Sequence, residues 1–183
     1  MRTLFLDCFS GISGDMSVAA LLDLGLDPKA LEAELAQLGL TTEYHLRIHR
    51  SARQNIAGTK FDVLITNQPH SHQSLLTTHH SHAHGRNHAQ IKDLLTAAPL
   101  APAIKHRALA TFQRVAVAEG KIHGLPPDDV HFHEVGAIDS IVDIVAFCAG
   151  VHLLGIKRIL VSSLFEGTGF ITCAHGRFPH PPP

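Results

Sequence analysis

The stretch from 67 to 88 constrains this chain more than any other feature. It holds seven of the 16 histidines (His70, His72, His79, His80, His82, His84 and His88), no Asp or Glu, and a single Arg. Its residues follow neither a helical nor a strand period, and they have little to bury. Such a segment reads as a disordered His-rich loop or linker rather than part of a core. The chain is therefore expected to fold as an α/β portion over 1–66 and a second α/β portion over 89–183. A length of 183 residues is one ordinary domain or two small ones, and a hydrophobic content of 45% is enough to build a core.

On the N-terminal side, Thr3 to Leu6 reads as a buried strand. A polar, Gly-containing turn from Phe9 to Asp15 follows, then a helix from Met16 to Leu24. A second helix has Asp27 to cap it, Pro28 at its first position, Gly39 at its end, and one apolar face of Leu31, Leu35 and Leu38. Tyr44 to Arg50 alternates as a half-buried strand, and Lys60 to Ile65 reads as another. This order predicts a sheet layer with helices packed on one face.

On the C-terminal side, a short helix around Ile91 stops near Pro99. A longer one runs from Ala103 to Glu119, with Gly120 suited to its end. Val130 to Val135 is expected to be a short strand, Ile138 to Leu154 a buried helix, and Arg158 to Ser162 and Phe170 to Cys173 further strands. The fold class expected is α+β, with small mixed sheets and helices on one face of them.

Several function classes are disfavoured at once. With 15 Lys+Arg against 16 Asp+Glu, the chain lacks the basic excess of a nucleic-acid or membrane-surface binder. Three cysteines, none in a CxxC pair, do not make a disulfide framework and suit a reducing compartment. Cys8 and Cys148 sit in apolar contexts and read as core. The apolar run at the N-terminus is too short for a signal peptide, and Ile144 to Ile156 falls short of the roughly 18 residues of a membrane span. A cytoplasmic protein is expected.

Four constellations carry possible chemistry. The His-rich tract suits capture of nickel, copper or zinc, since neutral imidazole is a good ligand for all three. Without fixed spacing it points to buffering or delivery rather than catalysis. The second is the segment from His131 through Phe132, His133 and Glu134 to Asp139, followed by Asp143. In a strand His131 and His133 share a face, and in a helix Asp139 and Asp143 lie one turn apart. Together they offer a mixed nitrogen and oxygen ligand set for a divalent metal. The third is the Ser10-Gly11-Ile12-Ser13-Gly14-Asp15 turn. Ser10, Gly11, Ser13 and Gly14 at a helix start could take an anion, while Asp7 and Asp15 could equally hold a cation or cap the helix. The fourth is Cys173-Ala174-His175-Gly176, in which Cys173 and His175 could ligate a metal, although a buried strand Cys is the commoner case.

Four segments read in order, FLDCFSGISGDM at the start, IHG at 122–124, VHFHEVGAIDSIVDI at 130–144 and GFITCAHG at 169–176, resemble the LarC family of nickel-insertion proteins. The resemblance spans nearly the whole chain apart from the His-rich tract. It implies a nickel chelatase of the lyase class, acting in synthesis of the nickel-pincer cofactor of lactate racemase. The implied substrate is pyridinium-3,5-bisthiocarboxylic acid mononucleotide. Ni2+ would be placed between its two thiocarboxylate sulfurs and the ring carbon, with CTP and Mg2+ or Mn2+ required. A homo-oligomer is expected, with no nucleic-acid or membrane partner. The chain departs from the family at Pro179-His180-Pro181-Pro182-Pro183, where the family pattern continues into a second, nucleotide-handling half. A frameshift, programmed or accidental, or a truncated gene model is the expectation there. Two other readings stand beside this one: a non-catalytic nickel-binding and delivery module, and a zinc-dependent hydrolase built on the His-x-His-Glu cluster.

Overall fold

The helix Ile138–Leu153 explains how the rest of the chain is arranged. The computed structural model describes residues 1–66, 85–132, 135–164, 167–173 and 176–180. In chain order the elements are β1 (Arg2–Leu6), α1 (Gly14–Asp23), α2 (Pro28–Ala36), β2 (Tyr44–Arg53), β3 (Ile56–Ile65), α3 (His88–Ala97), α4 (Pro102–His123), α5 (Ile138–Leu153), β4 (Ile156–Val161), β5 (Gly169–Cys173) and β6 (Gly176–His180). Apolar residues nearly encircle α5: Ile141, Val142, Val145, Ala146, Ala149 and Val151 are all buried. A helix apolar on most sides must be surrounded. Helices α1, α2 and α4 and strands β3 and β4 all pack against it. Gly150 allows a close approach, because a Cβ there would lie 2.7 Å from Leu21 Cδ1 of α1 and 2.9 Å from Leu26 Cδ2 in the turn after it.

The sheets are three separate pairs among the described residues. β1 runs parallel to β4, β2 pairs with β3 as a hairpin, and β5 pairs with β6. The α+β class with small sheets is as expected, but the single layer predicted for the N-terminal part divides, with β1 joining β4 across the chain. The β2–β3 hairpin turns on Gln54 and Asn55, both at positive φ (48° and 66°). That is the backbone of a tight hairpin turn matching strand twist. It lengthens both strands beyond the expected bounds. The hairpin buries Phe61 completely against α1 and α5.

Three expectations are corrected. α4 does not stop at Gly120. It continues to His123, and Gly124 takes the left-handed cap at φ 68°. Gly120 instead lets the chain fold back, since its carbonyl accepts from Leu125 N–H at 2.9 Å and a Cβ on it would strike Leu125 O. The segment from Val130 is not a strand among the described residues. A 3-10 turn over Pro127–Asp129 leads into extended chain whose backbone bonds the segment before α3 rather than a ladder partner. The His-rich loop, expected to reach 88, gives way to α3 at His88, because Asn87 caps that helix. Asn87 accepts from Gln90 N–H at 2.8 Å, and the Gln90 side chain accepts from Asn87 N–H at 2.9 Å. No helix among the described residues is long and apolar enough to cross a membrane.

Candidate functional site

The parallel pairing of β1 with β4 determines where the site forms. Both strands end at the same edge, tied by Ser162 N–H to Leu6 O at 2.9 Å and Cys8 N–H to Ser162 Oγ at 2.8 Å. α1 begins just past the end of β1. α5 returns through Gly155 into β4, so its N-terminus also lies at this edge. In α/β arrangements the crevice beyond the strands' carboxyl ends is the usual place for a ligand.

Between Cys8 and Gly14 the chain makes the predicted tight turn. Gly11 sits at φ 84°, which only glycine adopts readily, and its N–H reaches Cys8 O at 3.1 Å. Ser10 is exposed beside it. Ser13 is the N-cap residue of α1, but its hydroxyl donates to the Asp15 carboxylate instead of capping the backbone.

Asp143 brings this turn and the 131–143 segment into one site. Its side chain lies directly over Gly14, and a Cβ on Gly14 would stand 2.6 Å from Asp143 Oδ2. Gly14 is thus required for close approach, not for a special φ. Asp15 N–H bonds the Asp143 carboxyl, and the Asp15 and Asp139 carboxylates lie near enough to act on it. Asp143 Oδ1 is buried with no hydrogen-bond partner among the described residues. Burial first, then the charges of Asp15 and Asp139, push the Asp143 carboxyl up to about 7. Asp139 itself is exposed in the first turn of α5 and accepts from Ser140 N–H at 2.8 Å. The carboxyl groups of Asp15, Asp139 and Asp143 thus lie close together at this turn.

The other side of the site joins the end of the His-rich tract to the 130–136 segment. Arg86 N–H donates to Gly136 O at 2.9 Å and His88 N–H to Val130 O at 3.3 Å. Gly136 must be glycine here, because a Cβ would meet Arg86 O at 2.3 Å and Phe132 O at 3.0 Å. The residues on either side of 67–84, Thr66 and Arg86, are both held. Thr66 N–H bonds Glu43 O at 3.0 Å, and the Arg86 guanidinium bonds the Glu43 carboxylate at 2.8 Å. Val130 and Phe132 turn inward while His131 is exposed, so the alternation read from the sequence survives without a strand.

His88 departs from its expected setting. It is only 2% exposed, its Nδ1 lies 3.2 Å from Asp128 Oδ1, and its ring meets Phe132 edge-on. It is an interior residue of α3, because the cap at Asn87 turns it inward. His70, His72, His79, His80, His82, His84, His133, Glu134 and His175 lie outside the described residues. Cys8 and Cys148 are buried, as expected of core thiols. Among the described residues no three His, Cys, Asp or Glu side chains form a group able to hold a metal ion. Sequence reasoning named Asp15 only as a flanking residue and Gly136 only as the link into the following helix, and it missed Glu43 and Arg86. For Gly136 and Gly14 the signal was available, since a glycine next to a chemical motif often marks close backbone approach.

Comparison with known proteins shows similarity along the whole chain. The family model described as nickel insertion protein matches residues 4–183. A pyridinium-3,5-bisthiocarboxylic acid mononucleotide nickel insertion protein of Lactiplantibacillus plantarum is 47% identical over 190 residues, covering 100% of this chain and 45% of the relative. Proteins of the same description from Geobacillus kaustophilus (46% over 186 residues, 100% and 43%) and Clostridium acetobutylicum (40% over 202 residues, 100% and 48%) are also similar. The chain spans a little under half the length of these relatives. No solved structure matches.

Proposed function

The chain belongs to the nickel insertion protein family, and from that premise we propose that it gathers Ni2+ and delivers it for insertion into pyridinium-3,5-bisthiocarboxylic acid mononucleotide. Nickel is cargo in this reading. His70, His72, His79, His80, His82 and His84 collect it, because several imidazoles on one segment bind a borderline divalent ion without a preformed cage. His131, His133, Glu134 and Asp139 receive it. Insertion itself uses CTP with Mg2+ or Mn2+ and belongs to the lyase class. The part of the relatives beyond this chain's length supplies the nucleotide handling, and the working protein is cytoplasmic and self-associating.

The observation that carries this reading is the backbone pairing of Arg86 and His88 with Gly136 and Val130. It holds the residues that follow the His-rich tract against the 130–136 segment, which supports handover from one to the other. The test is deletion of residues 70–84, followed by equilibrium dialysis against limiting Ni2+ and metal analysis of the protein. The deletion spares Gly85 to His88, which the fold uses. The expected result is a clear loss of bound nickel at low nickel, with circular dichroism unchanged. Unchanged nickel stoichiometry would overturn the capture role.

A second reading is a delivery module with no chemistry of its own, in keeping with a histidine tract that has no fixed ligand spacing. Incubating the chain with the mononucleotide, Ni2+, CTP and Mg2+ or Mn2+ separates the two. Mass detection of the nickel-bearing product selects insertion. Nickel binding with no product selects delivery.

A further inference from the structure

Away from the carboxylate edge, α4, α5 and β4 line an open cavity of about 270 Å³. Arg107 and Arg114 line it from α4, Phe147 and Cys148 from α5, and Ile159 from β4. Arg107 and Arg114 are seven residues apart, two helical turns, and so project from one face. Cys148 follows Asp143 by five residues, a rotation of about 140° around α5, which places the cavity on a different side of the helix from the nickel reading.

The charge in this cavity is unbalanced. Arg107 Nη1 is buried and has no hydrogen-bond partner among the described residues. No Asp or Glu among the described residues lines the cavity. The Cys148 thiol is not the missing counter-charge, since burial pushes it up to about 11 and keeps it neutral. A buried guanidinium nitrogen without an acceptor is costly, and native structures rarely leave one so. Arg114 is exposed at the rim. Two guanidinium forks suit a dianion, whose oxygens accept paired N–H bonds, better than a single carboxylate. The remaining wall is mostly apolar.

We propose that this cavity binds a small phosphate monoester, its phosphate held by Arg107 and Arg114 and its apolar part lying against Phe147 and Ile159. The reading is independent of nickel handling. Its volume suits a ligand of about one ring plus a phosphate rather than a large cofactor, since drug-sized ligands need about 300 Å³ or more.

The test is calorimetric titration of the metal-free protein with phenyl phosphate, inorganic phosphate and phenol, at constant ionic strength. Saturable phenyl phosphate binding is expected, competed by inorganic phosphate, with phenol much weaker. Arg107→Gln and Arg114→Gln should each weaken it by about tenfold or more, the loss of one charge-assisted hydrogen bond or more. Lys29→Gln, an exposed cation on α2, should leave it unchanged. Arg114 is exposed, so its replacement does not endanger folding and keeps the test decisive if Arg107→Gln fails to fold. Equal binding of phenol, binding of inorganic phosphate alone, or full affinity in Arg114→Gln would each overturn the proposal.

Discussion

Replacing Asp143 by Asn should change how stability depends on pH, and the structure gives the sign. In the folded chain the carboxyl is pushed from 3.8 up to about 7 by burial and by Asp15 and Asp139. Unfolded, it returns to the ordinary aspartate range. The folded state therefore binds this proton more tightly than the unfolded state does. Its contribution is fully present below about pH 4 and is lost as pH rises through about 7. At 1.36 kcal/mol per pH unit, the ceiling is about 4 kcal/mol. The group is only about half buried, so solvent screening reduces this to about 1–2 kcal/mol.

Asp143→Asn cannot ionise, yet its amide oxygen still accepts from Asp15 N–H. Relative to wild type, it should gain about 1–2 kcal/mol between pH 5 and pH 8. The assay is urea unfolding by circular dichroism at pH 5, 6, 7 and 8 in EDTA, comparing the two proteins at each pH. Titration of the other histidines and carboxylates largely cancels in the difference. A wild-type-minus-variant gap constant to within about 0.3 kcal/mol across this range would refute the reasoning, because additive sites would then show no coupling to pH.

Gly14→Ala should cost about 1–3 kcal/mol, since its Cβ would overlap Asp143 Oδ2 and Cβ and displace that carboxyl, and the pH dependence above should shrink with it on repeating the urea series. Gly136→Ala places a Cβ 2.3 Å from Arg86 O and should release the segment before α3. Hydrogen exchange at Arg86 and His88 should then quicken by about tenfold or more while α5 stays protected, and unchanged exchange at both amides would count against the clamp.

Much of the fold was legible because its causes are local. Asp27 with Pro28, and the spacing of Leu31, Leu35 and Leu38, announce α2 within a dozen residues, and all three leucines are buried. Ile104, Ala108 and Phe112 mark the inner face of α4 in the same way. The apolar run from Ile138 marked a buried helix, and α5 is central. The misreadings arose where two local signals competed. Gly120 and Gly124 both suit a helix end, and only the fold-back of Leu125 chooses between them. Val130 to Phe132 alternates like a strand, but the chain that meets it is the Arg86–His88 segment, whose position no local pattern gives. The capping box at Asn87 and Gln90 was readable and would have ended the His-rich tract earlier.

The sequence by itself determined the inventory: an α+β chain, a histidine tract between two ordered parts, a turn rich in Gly and Ser, and a histidine–carboxylate segment that identifies the family. These follow from periodicity, capping and composition, which act over a few residues. Only the tertiary structure decided that Asp143 rests on Gly14, that Arg86 lies along Gly136, and that Arg107 faces a cavity with no counter-charge among the described residues. Those contacts join residues far apart in the chain through the parallel pairing of β1 with β4 and the burial of α5. Their energies come from desolvation and close approach, quantities that exist only once the core has closed.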